Sequence, residues 1–254
     1  MSISVVIPTW NEELWIPRLL KCLEQQRSFD QIIVADNNSS DATRRIAEES
    51  GCIITSGGHP GRARNLGARI AVGEILLFVD ADSIFGRDVT NLVRTHMNDP
   101  ETVAVHFQLR PISSSSIFRL CYFLASFYIR TLAYAGISQG VGSFMAIRRS
   151  AFLAVNGFDE NIDVGEDADM FRRLSSIGKV VFERASAVYV SPRRLSLEHP
   201  VRFGLKCVLW SLLRVFASSW SIVRYRWERY PSGFAHEEAI MADHLLRRMG
   251  QHEN

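Results

Sequence analysis

Asp80 and Asp82 sit one residue apart at the end of an apolar run, LLFVDADS (76–83). Charged side chains are rarely left in such surroundings unless they are paired or bound to a cation. Alternate residues of a strand share one face. A strand running to Asp82 therefore predicts two carboxylates pointing the same way, hard oxygen ligands suited to a divalent cation. Other acids recur at the ends of apolar runs. Glu12 follows Pro8-Thr9-Trp10-Asn11, and Asp36 closes QIIVAD (31–36). GEDAD (165–169) puts Glu166, Asp167 and Asp169 at the start of a helical pattern.

Each of these residues also has a purely structural explanation. Acids in a first helical turn stabilise the positive end of the helix dipole. Asp36 is equally suited to capping a turn, Glu12 to a solvated helix start, and Arg62 and Arg64 to a helix surface. The elements around them decide the matter. Apolar, β-branched runs at 3–8, 31–36, 52–56, 74–82 and 102–109 alternate with helical patterns at 16–26, 40–50, 61–72 and 86–97. Short continuous apolar strands alternating with helices predict an α/β fold with a mostly parallel central sheet, covered by helices on both faces. Ligands of such sheets bind beyond the carboxyl ends of the strands. Glu12, Asp36, the Gly57–Gly61 turn and Asp80–Asp82 are all expected at that edge.

Composition narrows the classes further. A chain of 254 residues with 47% hydrophobic and 22% charged residues is ordinary for a globular protein. A formal charge of +2 gives no footprint for nucleic acid. Cys22, Cys52, Cys121 and Cys207 are widely spaced with no C-x-x-C pair, which predicts reduced thiols and a cytoplasmic setting. The start, ISVVIP, lacks the basic region of a signal peptide, and no 18-residue run is apolar and uncharged. HEEAI (236–240) carries Ile240 where a zinc motif needs its second His. Phosphate loops, dinucleotide fingerprints and Ser elbows are also missing from the pattern.

Taken in order, VVIPTWNE, IIVADNNSSDAT, GRARNLGARIAVGEILLFVDADS, GSFMAIRRSAFLAVNGFDE and GEDADMFRRL (residues 3 to about 178) resemble the inverting nucleotide-sugar glycosyltransferases of family 2, with the GT-A fold. The resemblance implies that Pro8, Thr9, Asn11, Glu12, Asp36, Arg64 and Asp80 line the nucleotide sugar. It implies Mg²⁺ or Mn²⁺ on Asp82 and Asp80, with His199 as an additional ligand. It further implies that Asp167 is the catalytic base, with Glu166 beside it at the acceptor. UDP is the first expectation for the donor and GDP the second. Two features depart from the family: Asn37 stands where a second acid is common, and the Q-x-x-R-W signature of processive synthases is missing. A single transfer per acceptor is therefore expected. The competing reading is a nucleotidyltransferase or a non-catalytic nucleotide-sugar-binding protein of similar fold. The first should carry a basic Gly-rich loop where IPTWNEE is acidic, and the second would have lost Asp82 or Asp167.

The domain is expected to span residues 1–200, followed by an amphipathic helix and polar tail (201–254). From Val201 to Trp227 a broad apolar arc is flanked by Arg202, Lys206, Arg224 and Arg226. This pattern predicts either a helix lying flat on an anionic membrane surface, since spanning would bury Arg214, or one that packs on the domain or on a second subunit. The stretch Ile117–Ile137, with Arg119 and Arg130, is a second such surface. Peripheral contact with the inner face of the cytoplasmic membrane would suit a lipid-linked acceptor.

Overall fold

The computed structural model describes residues 1–26, 29–134, 140–162, 165–193, 195 and 236–251. Eight strands form one sheet: β1 (Ile3–Thr9), β2 (Gln31–Asp36), β3 (Ile53–Ser56), β4 (Ile75–Val79), β5 (Ser83–Phe85), β6 (Thr102–Pro111), β7 (Phe144–Arg148) and β8 (Lys179–Val190). Their order is β3-β2-β1-β4-β7-β6-β8-β5. The β1–β2, β1–β4, β2–β3 and β6–β8 pairs are parallel. Strand β7 runs against both of its neighbours, and β5 runs against β8. The expected mostly parallel sheet is present, with one reversed strand at its centre. That reversal has a use: the amino end of β7 meets the carboxyl end of β4, pairing Phe144 with Val79.

The continuous apolar runs follow from burial on both faces. Along β1, Ile3, Val5 and Ile7 enter one core while Val6 enters the other. Along β4, Ile75, Leu77 and Val79 alternate in the same way with Leu76 and Phe78. The first core is closed by α1 (Ile16–Gln26), α2 (Thr43–Glu49) and α4 (Val89–Met97). The second is closed by α3 (Pro60–Ile70), α6 (Arg149–Ala154) and α7 (Glu166–Ser175). Helix α3 lies so close to β1 that a Cβ on Gly67 would stand 2.3 Å from Val6 Cγ1, so only glycine fits there.

Two further elements pack on these layers, α5 (Ser116–Tyr134) beside β6 and α8 (His236–Gln251) beside α1. Helix α5 leaves Ile117, Leu120, Phe123, Leu124 and Phe127 exposed. Helix α8 occupies sequence expected to be a polar tail. Ala239, Ala242 and Leu246, at steps of three and four, form a narrow buried stripe, with Ala242 and Leu246 joining the first core. Arg18 of α1 grips α8 by donating Nε and Nη2 to Asp243 at 2.9 and 2.7 Å. The tail reading fails because alanines carry little hydropathy yet permit close helix packing. The expected helix at 201–227 and His199 lie outside the described residues. Among the described residues no helix is long and apolar enough to cross a membrane.

Candidate active site

Four loops meet at the carboxyl edge of the sheet: those after β1, β2 and β4, and the one leading into β7. The first two are tied together by short side chains. Thr9 Oγ1 donates to Asp36 Oδ1 at 3.0 Å, and Ser39 donates its backbone N–H and Oγ to the same carboxylate at 3.0 and 2.5 Å. Asp36 is buried, and these three bonds leave it room to accept about one more. Asn11 adopts a left-handed backbone (φ 56°), which Asn tolerates. It accepts the Ser40 N–H at 2.8 Å and donates its own N–H to Ser39 Oγ at 2.9 Å. Pro8 pairs with Ala35 one residue before this junction.

Arg64 sits at the centre of the edge. Lying on α3 and only 2% exposed, it donates Nη2 to Asp80 at 2.8 Å and Nη1 to Glu166 at 2.7 Å. Burial alone would favour losing its proton, but Asp80 and Glu166 outweigh that and hold it charged. Glu166 is itself buried and committed to Arg64. Expected beside the base on the acceptor side, it accepts the Arg64 Nη1–H bond at 2.7 Å.

Asp167 follows on the same helical turn. Its Oδ2 accepts the Gly142 N–H at 2.7 Å, and its Oδ1 accepts the Ala168 N–H at 2.7 Å. A Cβ at Gly142 would stand 3.1 Å from Arg64 Nη2 and 3.3 Å from Asp167 Oδ2, so any larger residue would press on both side chains. Burial, with the neighbouring Glu166 charge, raises the Asp167 carboxyl from the ordinary range to about 6. The start of α7 is held from below. Arg173 bonds Asp169 Oδ2 (2.7 Å) and the carbonyls of Val155 and Gly157 (2.6 and 2.7 Å). Asn65 of α3 clasps Phe158 in the NGFDE turn through both its N–H and its carbonyl, each at 2.8 Å.

The two acids of the D-x-D pair diverge from the expected geometry. Strand β4 ends at Val79, and the Asp80 N–H turns to the Ser143 carbonyl at 3.0 Å. Asp80 then faces Arg64, while Asp82 faces Arg193, whose Nε lies 3.1 Å from Asp82 Oδ2. The buried Arg64 holds one acid of the pair and the partly buried Arg193 the other. Arg193 also grips Glu12 with both terminal nitrogens, at 2.9 and 2.5 Å. Burial pushes the Glu12 carboxyl up to about 7 against the pull of Arg193, and Asp82 and Asp80 add to the rise.

Sequence reasoning therefore placed Thr9, Asn11, Glu12, Asp36, Arg64, Asp80, Asp82, Glu166 and Asp167 at one edge, where they stand. The stretch SPRRLSLEH (191–199) resembles a loop that can close over the diphosphate, but its Arg193 was not singled out as the partner of Glu12 and Asp82, and Glu238 of α8, which accepts a bond from Ser191 and feels the charges of Asp82 and Arg193, was missed. No short motif marks either residue; HEEAI, weighed only against zinc, held the second.

Among the described residues no three His, Cys, Asp or Glu side chains form a group poised to hold a metal. The donor chemistry still fits a divalent cation. Mg²⁺ is commonly held by one or two carboxylates together with substrate phosphates, and Asp82 is a carboxylate in a pocket that already attracts the Arg193 cation.

Known proteins resemble this chain in sequence and in fold. The O-antigen chain rhamnosyltransferase RfbN of Salmonella typhimurium is 29% identical over 213 residues, covering 74% of this chain and 65% of that protein. The 4,4'-diaponeurosporenoate glycosyltransferase of Staphylococcus haemolyticus is 40% identical over 90 residues, 32% of this chain and 24% of that one. The chain thus spans less than two thirds of either relative. Among solved structures, a mannosyltransferase from Pyrobaculum calidifontis in complex with GDP-Man and Mn²⁺ matches with a TM-score of 0.65 at 17% identity, over 99% of this chain and 76% of that one. Glucosyl-3-phosphoglycerate synthase from Mycobacterium tuberculosis in complex with Mn²⁺ and UDP-glucose matches at 0.60 and 21%, over 84% and 78%. These likenesses identify the α/β architecture as the GT-A fold. Residues 4–155 match the model of glycosyl transferase family 2, and the chain belongs to that family.

Proposed function

We propose that this protein moves a sugar from a nucleotide-diphosphate sugar to an acceptor hydroxyl or phosphate with inversion at the anomeric carbon. UDP is the first choice of nucleotide and GDP the second. The observation that carries this reading is the convergence of the Thr9–Asp36 junction, the Arg64–Asp80–Glu166 triad and Asp167 at one sheet edge. The solved structures of similar fold with UDP-glucose or GDP-Man support the donor class.

Each residue then has a role. Asp36 and the Asn11 loop receive the nucleoside, with Asp36 offering its remaining acceptor position. Arg64 fixes Asp80 toward the ribose side and keeps Glu166 neutralised beneath Asp167. Asp167 is more basic than an ordinary Asp, so it takes the acceptor proton as the hydroxyl attacks. Single displacement inverts the configuration and requires no nucleophilic side chain. Asp82 would hold Mg²⁺ or Mn²⁺, which when bound neutralises charge growing on the leaving diphosphate.

Thermal denaturation against UDP-, GDP-, dTDP- and CDP-sugars, with and without Mn²⁺, tests the reading. A ligand at a hundred times its Kd stabilises by about 2.7 kcal/mol if it binds only the folded state. One nucleotide class is expected to do so, and Asp82→Asn is expected to lose the Mn²⁺-dependent part. Failure of every donor would overturn the reading; an undiminished Mn²⁺ effect in Asp82→Asn would remove Asp82 as the ligand.

The acceptor side is proposed to face lipid. Helix α5 has an exposed stripe of Ile117, Leu120, Phe123, Leu124 and Phe127, carries Arg119 and Arg130, and has no acid. Apolar and aromatic side chains flanked by cations suit an anionic membrane interface. Flotation with anionic liposomes at low salt is expected to carry the protein up, and Phe123→Ser with Phe127→Ser to abolish this. Protein remaining at the bottom would favour a soluble acceptor.

A further inference from the structure

The Glu12–Arg193–Asp82 arrangement poses a problem that the proposed reaction does not resolve. A cation-binding carboxylate is already engaged by a cation of the chain itself. Arg193 is 13% exposed, with Nε on Asp82 and both terminal nitrogens on Glu12. Ser191 donates its backbone N–H to the Asp82 carbonyl at 3.2 Å, and its Oγ accepts the Arg193 N–H at 3.3 Å. That same hydroxyl donates to Glu238, brought from α8, while α8 is fixed to α1 through Arg18 and Asp243. Pro192 closes the turn by accepting the Leu195 N–H at 2.7 Å. Sequence-distant elements therefore station one guanidinium.

We propose that Arg193 guards Asp82: its guanidinium holds the carboxylate while no donor is bound, and passes to the donor diphosphate when a divalent cation takes Asp82. This rests on the nucleotide-sugar reading above and extends it to the order of binding. The charges support the exchange. A planar guanidinium pairs with phosphate as readily as with carboxylate, and in the same forked geometry. A metal ion alone must compete with Arg193 for Asp82. A metal arriving with a diphosphate brings the anion that receives the displaced arginine. Metal and donor are thereby coupled, each binding better with the other. Glu238 acts through Ser191 as a positioning residue and touches no substrate.

The test measures Mn²⁺ alone, by electron paramagnetic resonance of the free ion, on full-length wild type and Arg193→Gln without nucleotide. If Asp82 is released from the arginine in about a tenth of molecules or fewer, the variant binds Mn²⁺ about tenfold or more tighter, because the fraction competent to bind rises toward one. The same variant is expected to bind the stabilising nucleotide diphosphate with Mn²⁺ more weakly than wild type. Arg193→Lys, whose single ammonium cannot span Glu12 and Asp82 together as the fork does, serves as the second variant should Arg193→Gln not fold. It is expected to change Mn²⁺ affinity in the same direction by less. Unchanged Mn²⁺ affinity in the folded variants overturns the guard even if donors stabilise the wild type. Tighter Mn²⁺ binding in a protein that no donor stabilises would sustain the guard and remove the donor reading.

Discussion

Replacing Asp167 by Asn is expected to lower kcat by about 10²–10⁴-fold, the usual contribution of a positioned general base, while nucleotide-sugar binding stays near wild type. The amide can accept only one of the two backbone N–H groups from Gly142 and Ala168. The lost bond costs about 1 kcal/mol of stability, too little to unfold the chain. The pH profile gives a second readout. Burial raises the Asp167 carboxyl to about 6, and a base works only when deprotonated, so kcat should climb as pH rises through about 6 and level off above it. For stability the sign is opposite. Between the ordinary aspartate value of 3.8 and about 6 the folded state holds the proton more firmly than the unfolded chain. Stability from this group therefore falls as pH rises across that window, and the Asn variant should lack that slope. Isothermal calorimetry with the donor and stopped-time product assays separate the outcomes. Loss of binding with unchanged turnover of bound donor would make Asp167 a structural cap.

Arg64→Met should have the largest effect on folding. Removing one partner of a buried ion pair leaves the other charge uncompensated and costs about 3–5 kcal/mol. Here one arginine serves both Asp80 and Glu166, with Glu166 only 7% exposed. At about 2–4 °C per kcal/mol for a chain of this size, Tm should drop by roughly 6–20 °C. Arg64→Lys should recover only part of this, because a single ammonium cannot reproduce a fork that reaches two carboxylates. Thermal unfolding followed by circular dichroism checks both variants. A Tm unchanged in Arg64→Met would mean that Asp80 and Glu166 are already neutral or hydrated.

The contrast between Asp80 and Asp82 shows where local reading stops. QIIVAD was legible to the residue, as was IPRLLKCLEQQ, because burial on both faces of a sheet and on one face of a helix leaves a periodic trace. The acids at strand ends were legible as a set because the carboxyl edge gathers them whatever their partners. Their partners were not. Asp82 faces an arginine more than a hundred positions away, and Glu12 faces the same arginine 181 positions on. No window along the chain contains such a contact. The reversed strand β7 was hidden for another reason: an apolar strand buried on both faces looks the same in either direction. In α8 the signal was simply weak, since two of its three buried positions are alanines.

Helix α8 has one consequence that plays out in time rather than in space. Arg18 meets Asp243 across 225 positions of chain. At a synthesis rate of about 5–20 residues per second, α1 emerges on the order of 10–50 s before α8 exists to cover it. During that interval Leu19, Leu20 and Trp15, part of the core that α8 helps to close, lack that cover on the nascent chain. A chaperone that binds apolar helix faces would find its target there, early in the chain.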